Sequence, residues 1–207
     1  MLPASGDPPA AELVLEAVAA LHAGQIVAVP TDTVYGLAVD PFRAGAAERL
    51  FALKRRPREV DLPVLVADER QALSLTVAVP DVARRLMGLY WPGALTLVLP
   101  RNPGVAADLG TDDVTIGLRC PAHLVPLALC AAAGPLATTS ANLHGEPTLC
   151  TAAEVIATFG DSVKLVLDGG TCAGTPSTVV DCTGEVPKLL RRGRIPWAEI
   201  VAALLQT

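Results

Sequence analysis

The chain reads as an α/β protein: a twisted, mostly mixed sheet flanked by helices, formed as a single domain over residues 1–207 with its core at about 11–194. Three observations carry that expectation. Short apolar runs alternate with longer stretches of helical periodicity through most of the length, the order that yields a sheet with helical cover. Half of the residues are hydrophobic (51%) but only 3% are aromatic, so the core is built from Val, Leu, Ile and Ala, which suit buried strands and the helices over them. The 18 prolines and 17 glycines are dispersed as punctuation, with no repeat, low-complexity tail or long linker to divide the chain.

Each element follows from its pattern. Leu13, Val14, Ala17, Val18 and Leu21 recur at helical spacing and predict a helix over 11–23, stopped by Gly24. Residues 25–30 form a short strand, left through the polar loop Pro30-Thr31-Asp32-Thr33 and followed by Val34-Tyr35-Gly36-Leu37. A helix over 44–53 brings Lys54 and Arg56 to its C-terminal end, with Pro57 as the breaker. A strand at 62–67 precedes a helix at 81–90, for which Asp81 is available as N-cap after Pro80. Trp91-Pro92-Gly93 turns the chain into a strand at 94–99, and a further strand at 114–119 ends at Pro121. A helix over 122–133 closes at Gly134-Pro135, and the strand at 136–139 runs into Ser140-Ala141-Asn142. The remainder predicts a helix at 152–159, a strand at 164–168, a loop at 169–174, strands at 177–181 and 188–190, and an amphipathic helix at 196–205. The hairpin-like spacing after Thr151 makes the sheet mixed rather than purely parallel.

Charge and cysteine usage narrow the function. Sixteen Lys and Arg against 21 Asp and Glu give a net charge of −5, which argues against a protein that coats nucleic acid. The cations are concentrated at Lys54, Arg55, Arg56 and Arg58 and again at Arg191, Arg192 and Arg194, a distribution suited to a small anionic ligand. The five cysteines, Cys120, Cys130, Cys150, Cys172 and Cys182, include no CxxC pair and read as reduced thiols of a cytoplasmic protein. The scattered His22, His123 and His144 do not suggest a metal cage. Residues 1–9 lack the basic-then-apolar order of a signal peptide, and no run approaches the ~18 apolar residues of a membrane span.

The sequence lacks GxxxxGK[ST], GxGxxG and GxSxG; Ser140-Ala141-Asn142 has no SxxK or KTG beside it. What remains are polar segments at strand ends. The loop at 30–37 groups two hydroxyls and a carboxylate, which suit a small amino-bearing ligand or, equally, a capped turn. Lys54 and Arg56 could meet one anion as a point charge and a bidentate fork, or simply complement a helix dipole. Thr138-Thr139-Ser140-Ala141-Asn142 offers hydroxyls and an amide to phosphate or sugar oxygens, or caps a turn. Thr115 and Arg119 share one strand face by the two-residue alternation, and Ser177-Thr178 with Leu189-Leu190-Arg191 forms a last candidate pair. Cys120, next to Arg119, is either a thiol in an electropositive site or a small buried residue.

Taken together and in this order, PTDTVYGL at 30–37, the KxR of Lys54 and Arg56, WPGALTLVL at 91–99, Thr115 through Arg119, the SxN of Ser140 and Asn142, and STVVD leading to LLR at 177–191 resemble the YrdC-like threonylcarbamoyl-AMP synthase family. The similarity runs from about Gln25 to Arg194. It implies a YrdC/RibB-like fold and a nucleotidyltransferase that joins L-threonine, bicarbonate or CO2, and ATP into L-threonylcarbamoyl-adenylate and pyrophosphate. A downstream transferase complex would pass the threonylcarbamoyl group to adenosine 37 of tRNA, giving the t6A modification, with a possible direct tRNA contact.

The same resemblance implies site roles. Thr33, Arg119, Thr138 and Ser177 would bind threonine, Arg119 taking its carboxylate. Lys54 and Arg56 would face the carbamate and phosphates and, with Ser140 and Asn142, carry the catalysis. Arg56, Thr115, Ser140, Asn142, Thr148 and Arg191 would hold ATP, and Mg2+ would enter with the phosphates, without a protein side chain as ligand. Val60 and Leu65 stand where some relatives carry polar side chains. The chain ends soon after the helix at 196–205, so the single-domain form is implied, without the C-terminal domain of longer members. Two alternatives stay open: an RNA-binding module of the same fold without catalysis, and a paralogue that makes a different acyl-adenylate.

Overall fold

The computed structural model describes residues 1–4, 9–111 and 114–205. Among these, ten strands form one mixed sheet: β1 (Leu2–Pro3), β2 (Val27–Val29), β3 (Gly36–Val39), β4 (Val64–Leu65), β5 (Leu95–Pro100), β6 (Thr115–Arg119), β7 (Leu136–Ser140), β8 (Leu165–Asp168), β9 (Thr178–Asp181) and β10 (Lys188–Arg191). Their spatial order is β1-β8-β2-β3-β7-β4-β6-β5-β9-β10. Parallel pairs (β2 with β8, β4 with β6, β5 with β9) occur together with antiparallel ones (β3 with β7, β4 with β7, β5 with β6), as expected of a mixed sheet. The helices are α1 (Ala11–His22), α2 (Ala46–Lys54), α3 (Glu69–Leu73), α4 (Asp81–Tyr90), α5 (Leu124–Ala133), α6 (Ala152–Phe159) and α7 (Trp197–Leu205), with a 3-10 turn at Gly160–Ser162. None of them is long and apolar enough to cross a membrane.

The helices cover the sheet unequally, and that asymmetry makes the site. On one face Leu37, Val64, Leu97 and Leu118 pack with Leu50, Phe51, Leu86, Val155 and Ile200, so α2, α4, α6 and α7 share one large core. On the other face Val27, Val29, Leu136, Leu165 and Leu167 pack with Leu13, Leu21, Val125 and Leu129 of α1 and α5. That second layer covers the β8-β2-β3-β7 half. Across β7, β4, β6, β5 and β9 the same face carries Thr138, Ser140, Leu65, Arg119, Gly117, Thr96 and Val179, residues that line open cavities, with Leu65 at the border also packing into the second layer. Alternation with period two puts these residues on one surface.

Local differences from the sequence reading have identifiable causes. The helix expected over 44–53 spans 46–54, and the chain leaves it before Pro57 because Arg55 takes the left-handed conformation (φ 52°) and its N–H turns back to the carbonyl of Ala52. Asp81 is the first helical residue of α4 rather than its cap; Pro80 holds the cap position without a side-chain bond, and the carboxylate of Asp81 faces the helix dipole from within the first turn. α3 and β1 were not anticipated, α3 being a single short turn-rich segment whose cap, Asp68, accepts from Gln71 N at 2.7 Å. α6 carries a full capping box between Thr151 and Glu154.

Candidate active site

The register of the central strands brings distant loops together. Gly36 of β3 pairs with Ser140 of β7, so the loop that precedes β3 lies beside the end of β7. Leu65 of β4 pairs with Arg119 of β6, and Leu95 of β5 with Thr178 of β9, which places Arg119 and Ser177 at neighbouring strand ends. The result is a cleft of about 200 Å³ lined by Thr31, Thr33, Arg56, Leu65, Thr96, Arg119, Thr138, Ser140, Thr148, Ser177 and Arg191 among others. Arg56, Pro63, Thr96 and Arg191 also line an adjoining cavity of about 350 Å³, whose walls are largely apolar: Val60, Leu62, Val98, Leu109, Ile116, Val179 and Leu190.

The inner end of the cleft is built around Arg119, which is 6% exposed. Its Nε donates to Gly93 O at 2.9 Å, Nη1 to Thr33 Oγ1 at 2.9 Å, and Nη2 to Asp32 Oδ1 at 2.7 Å. The loop that presents Thr33 is self-supporting. Thr31 Oγ1 donates to Val34 O at 2.7 Å and accepts from the N–H groups of Thr33 and Val34. The hydroxyls of Thr31 and Thr33 lie 2.9 Å apart. Two of the five guanidinium N–H groups of Arg119 are left for a ligand, in a fork that suits a carboxylate.

At the outer end, Arg191 reaches back along the cleft. Nη2 donates to Ser177 O at 2.8 Å and to Ser177 Oγ at 2.9 Å, while Ser177 Oγ also meets Thr96 Oγ1 at 2.9 Å. A bulge between Leu189 and Arg191 re-aims that side chain. Gly193 then lets the chain pass against Ser177, where any Cβ would collide with the Ser177 backbone. Arg56, just beyond the left-handed Arg55, donates to Val60 O at 2.7 Å and Asp61 O at 2.9 Å and lines both cavities.

Lys54 and Asn142 lie behind the wall. Lys54 is 1% exposed, and its Nζ donates to Ser140 O, to Asn142 O at 2.6 Å and to Asn142 Oδ1 at 3.1 Å. Asn142 completes the turn: Oδ1 accepts from Ser140 Oγ at 2.6 Å, and Nδ2 donates to Leu143 O and Glu146 O. Lys54, expected to face the carbamate and phosphates, is thus placed beside the Ser140 turn and not among the residues that line the cleft: its Nζ meets three protein oxygens. Ser140 itself lines the cleft, as do Thr33, Arg56, Arg119, Thr138, Thr148, Ser177 and Arg191. Thr115 lines the apolar cavity, on the same strand face as Arg119 but at the other end. Val60 opens onto that cavity too, and Leu65 onto the inner cleft.

Electrostatically the cleft is starved of negative charge. Burial and then the charge of Arg191 push Arg56 below its ordinary value; burial lowers Arg119 against the opposing pull of Asp32; burial alone lowers Arg191. Lys54 is pushed down to about 7 by burial and then by Arg56. Cys120 is 3% exposed with its thiol raised to about 11 by burial, so it is a packed residue rather than a reactive one. Sequence reasoning did not single out Thr96, because a threonine in an apolar strand looks like any β-branched strand residue, nor the pairing of Asp32 with Arg119, which joins segments distant in sequence. No group of three or more His, Cys, Asp or Glu among the described residues is placed to hold a metal ion.

Comparison with known proteins places this geometry. A family model described as telomere recombination (Sua5/YciO/YrdC) matches residues 19–193. A putative threonylcarbamoyl-AMP synthase of Mycobacterium tuberculosis is 40% identical over 194 residues, covering 92% of this chain and 88% of the relative. The threonylcarbamoyl-AMP synthase of Bacillus subtilis is 38% identical over 194 residues, covering 92% of this chain and 56% of the relative. The crystal structure of Pyrococcus abyssi Sua5 complexed with L-threonine matches with a TM-score of 0.90 at 32% identity, over 99% of this chain and 61% of that one. This chain thus spans little more than half of the longer relatives' length.

Proposed function

This chain belongs to the Sua5/YciO/YrdC family, and we propose that it is a nucleotidyltransferase that makes L-threonylcarbamoyl-adenylate and pyrophosphate from L-threonine, bicarbonate or CO2, and ATP. The observation that carries the reading is the convergence of Arg56, Arg119 and Arg191 with eight Ser and Thr hydroxyls on one cleft that has no Asp or Glu among its described lining residues. Such a site calls for anions at both ends.

In this reading the threonine carboxylate takes the two remaining N–H groups of Arg119, with Thr33, Thr138 and Ser177 around the rest of the molecule. The triphosphate lies along Arg56 and Arg191, with Thr148 as a hydroxyl donor and Ser140 beside it. The adenosine occupies the apolar cavity, with Thr115 at its rim. The chemical difficulty is that a carbamate, itself an anion, must attack an α-phosphate. Holding the two in line and neutralising both lowers that barrier without a covalent nucleophile. Lys54 and Asn142 contribute by fixing the Ser140 turn from behind. Mg2+ is proposed as the companion of the triphosphate; the cleft offers cations and hydroxyls at that end, which fits a metal held chiefly by phosphate oxygens and supplying charge neutralisation. The product would serve t6A formation at position 37 of tRNA, through a separate transferase complex and with tRNA contact at most secondary, in the cytoplasm, where free thiols persist.

The test is direct. With ATP, L-threonine and 13C-labelled bicarbonate, the protein should form an adenylate carrying the labelled carbon, read by mass spectrometry. Equal adenylate formation from serine or glycine would sink the threonine assignment.

A further inference from the structure

Two cysteines joined through a backbone hydrogen bond flank segments that line the cleft and take no part in the proposed reaction. Cys150 follows the 148–149 segment, whose Thr148 lines the cleft and whose Leu149 O accepts from Tyr35 N at 3.0 Å. Cys172 lies in the loop from β8 to Ser177, tied down where Gly174 N donates to Thr33 O at 2.7 Å. The N–H of Cys172 donates to the carbonyl of Cys150 at 2.9 Å. An amide nitrogen lies about 1.5 Å, and a carbonyl oxygen about 2.4 Å, from its own Cα. That hydrogen bond therefore holds the two Cα atoms within roughly 6.8 Å, inside the reach of a disulfide. The sulfur of Cys150 is turned towards this loop: a Cβ placed on Gly174 would lie 3.5 Å from Cys150 Sγ.

Accessibility separates this pair from the other thiols. Cys150 and Cys172 are partly exposed, whereas Cys120, Cys130 and Cys182 are 3%, 0% and 0% exposed. Cys120 and Cys130 spend their S–H groups on Ala67 O and Leu65 O beneath the helical layer. Cys172 packs against the main core, which assigns the first attack to Cys150.

We propose that Cys150 and Cys172 form a dithiol modification site that reacts with a low-molecular-weight disulfide and closes to a cystine across the rim. The Cys150 thiolate attacks one sulfur of the reagent and expels the first small thiolate, leaving a mixed disulfide. The Cys172 thiolate then attacks Cys150 Sγ and expels the second. Two protein S–H bonds and one reagent S–S bond become one protein S–S bond and two small thiols; the protein is oxidised by two electrons and the reagent reduced by two. The bridge staples the Thr148 segment to the loop that carries Pro176 and Ser177, so the cleft opens less readily for substrate and product. This last consequence rests on the proposed reaction, while formation of the bridge does not.

The experiment treats the full chain with oxidised glutathione, blocks free thiols, and maps the peptides without reduction. The expected result is a 150–172 linkage, with Cys120, Cys130 and Cys182 blocked only after denaturation. Pyrophosphate release should fall by roughly threefold or more, as expected when a gating motion is restrained, and return with dithiothreitol. Cys150→Ser and Cys172→Ser should keep their activity under oxidation. Stable mixed disulfides without the linkage would overturn the site; linkage with unchanged turnover would overturn the staple's effect on the cleft. A reduced protein that releases no pyrophosphate but still forms the linkage would count against the reaction alone.

Discussion

Lys54 shows how one residue can matter for a site it does not enter. Its ammonium is surrounded by three acceptor oxygens, which favour the charged form, while burial and Arg56 push it down to about 7. The folded protein thus gives up this proton more readily than the unfolded chain. Between about pH 7 and the ordinary lysine value of 10.5 the unfolded state binds more protons, so this group's contribution to stability rises with pH across that window and is least favourable below it. In urea unfolding from about pH 7 to 9.5, wild type should gain on Lys54→Met by ~2–3 kcal/mol at most, since each tenfold difference in proton affinity between the folded and unfolded states is worth about 1.4 kcal/mol. A constant difference between the two would contradict the burial argument. Arg119→Lys keeps the charge but loses the fork. It should raise the KM for threonine roughly 10- to 100-fold, the ~1.5–3 kcal/mol of a charged hydrogen bond, with a smaller change in kcat. An unchanged KM would remove Arg119 from the carboxylate. At this scale residue types were readable, but partners were not: nothing along the chain says that Thr33 and Asp32 would share Arg119, or that Lys54 would spend its donors on Ser140 and Asn142.

Elements were legible where hydrophobic period and caps agreed. α4 and α6 match their expected bounds of 81–90 and 152–159, because amphipathic spacing and flanking breakers coincide there. Ends governed by backbone conformation were not legible, and Arg55 is the clearest case. Glycine takes the left-handed conformation without the steric cost that arginine bears at φ 52°. Arg55→Gly should therefore stabilise the fold by ~0.5–1 kcal/mol, visible as a higher midpoint in thermal unfolding; a lower midpoint would show that the Arg55 side chain matters more than its backbone. Gly193→Ala acts in the opposite sense. A methyl group there drives the chain off Ser177 and with it the Arg191 contacts, so the KM for ATP should rise by about tenfold, the cost of one charged hydrogen bond. An ATP KM equal to wild type would separate Arg191 from the triphosphate.

At the scale of the whole molecule, an acidic protein with a net charge of −5 gathers the buried Arg119, the half-buried Arg56 and the exposed Arg191 around a cleft on the half of a sheet face that α1 and α5 leave uncovered. The mixed sheet and its helical flanks followed from alternation of pattern along the chain. The uncovered half-face did not, since it depends on a strand order, β7-β4-β6-β5-β9, that joins segments distant in sequence. A cleft of this kind distinguishes catalysis from RNA binding: phosphates along a nucleic acid would release counterions and weaken steeply with salt, whereas a carboxylate held on the buried Arg119 is screened less. The central claim is that one cleft holds a carboxylate at Arg119 and a triphosphate at Arg56 and Arg191, so that neither substrate reacts alone. Pyrophosphate release from ATP, followed with L-threonine and bicarbonate supplied singly and together, tests it most directly. Release only when both are present is the predicted result; release from ATP without threonine, or none under any combination, would contradict it.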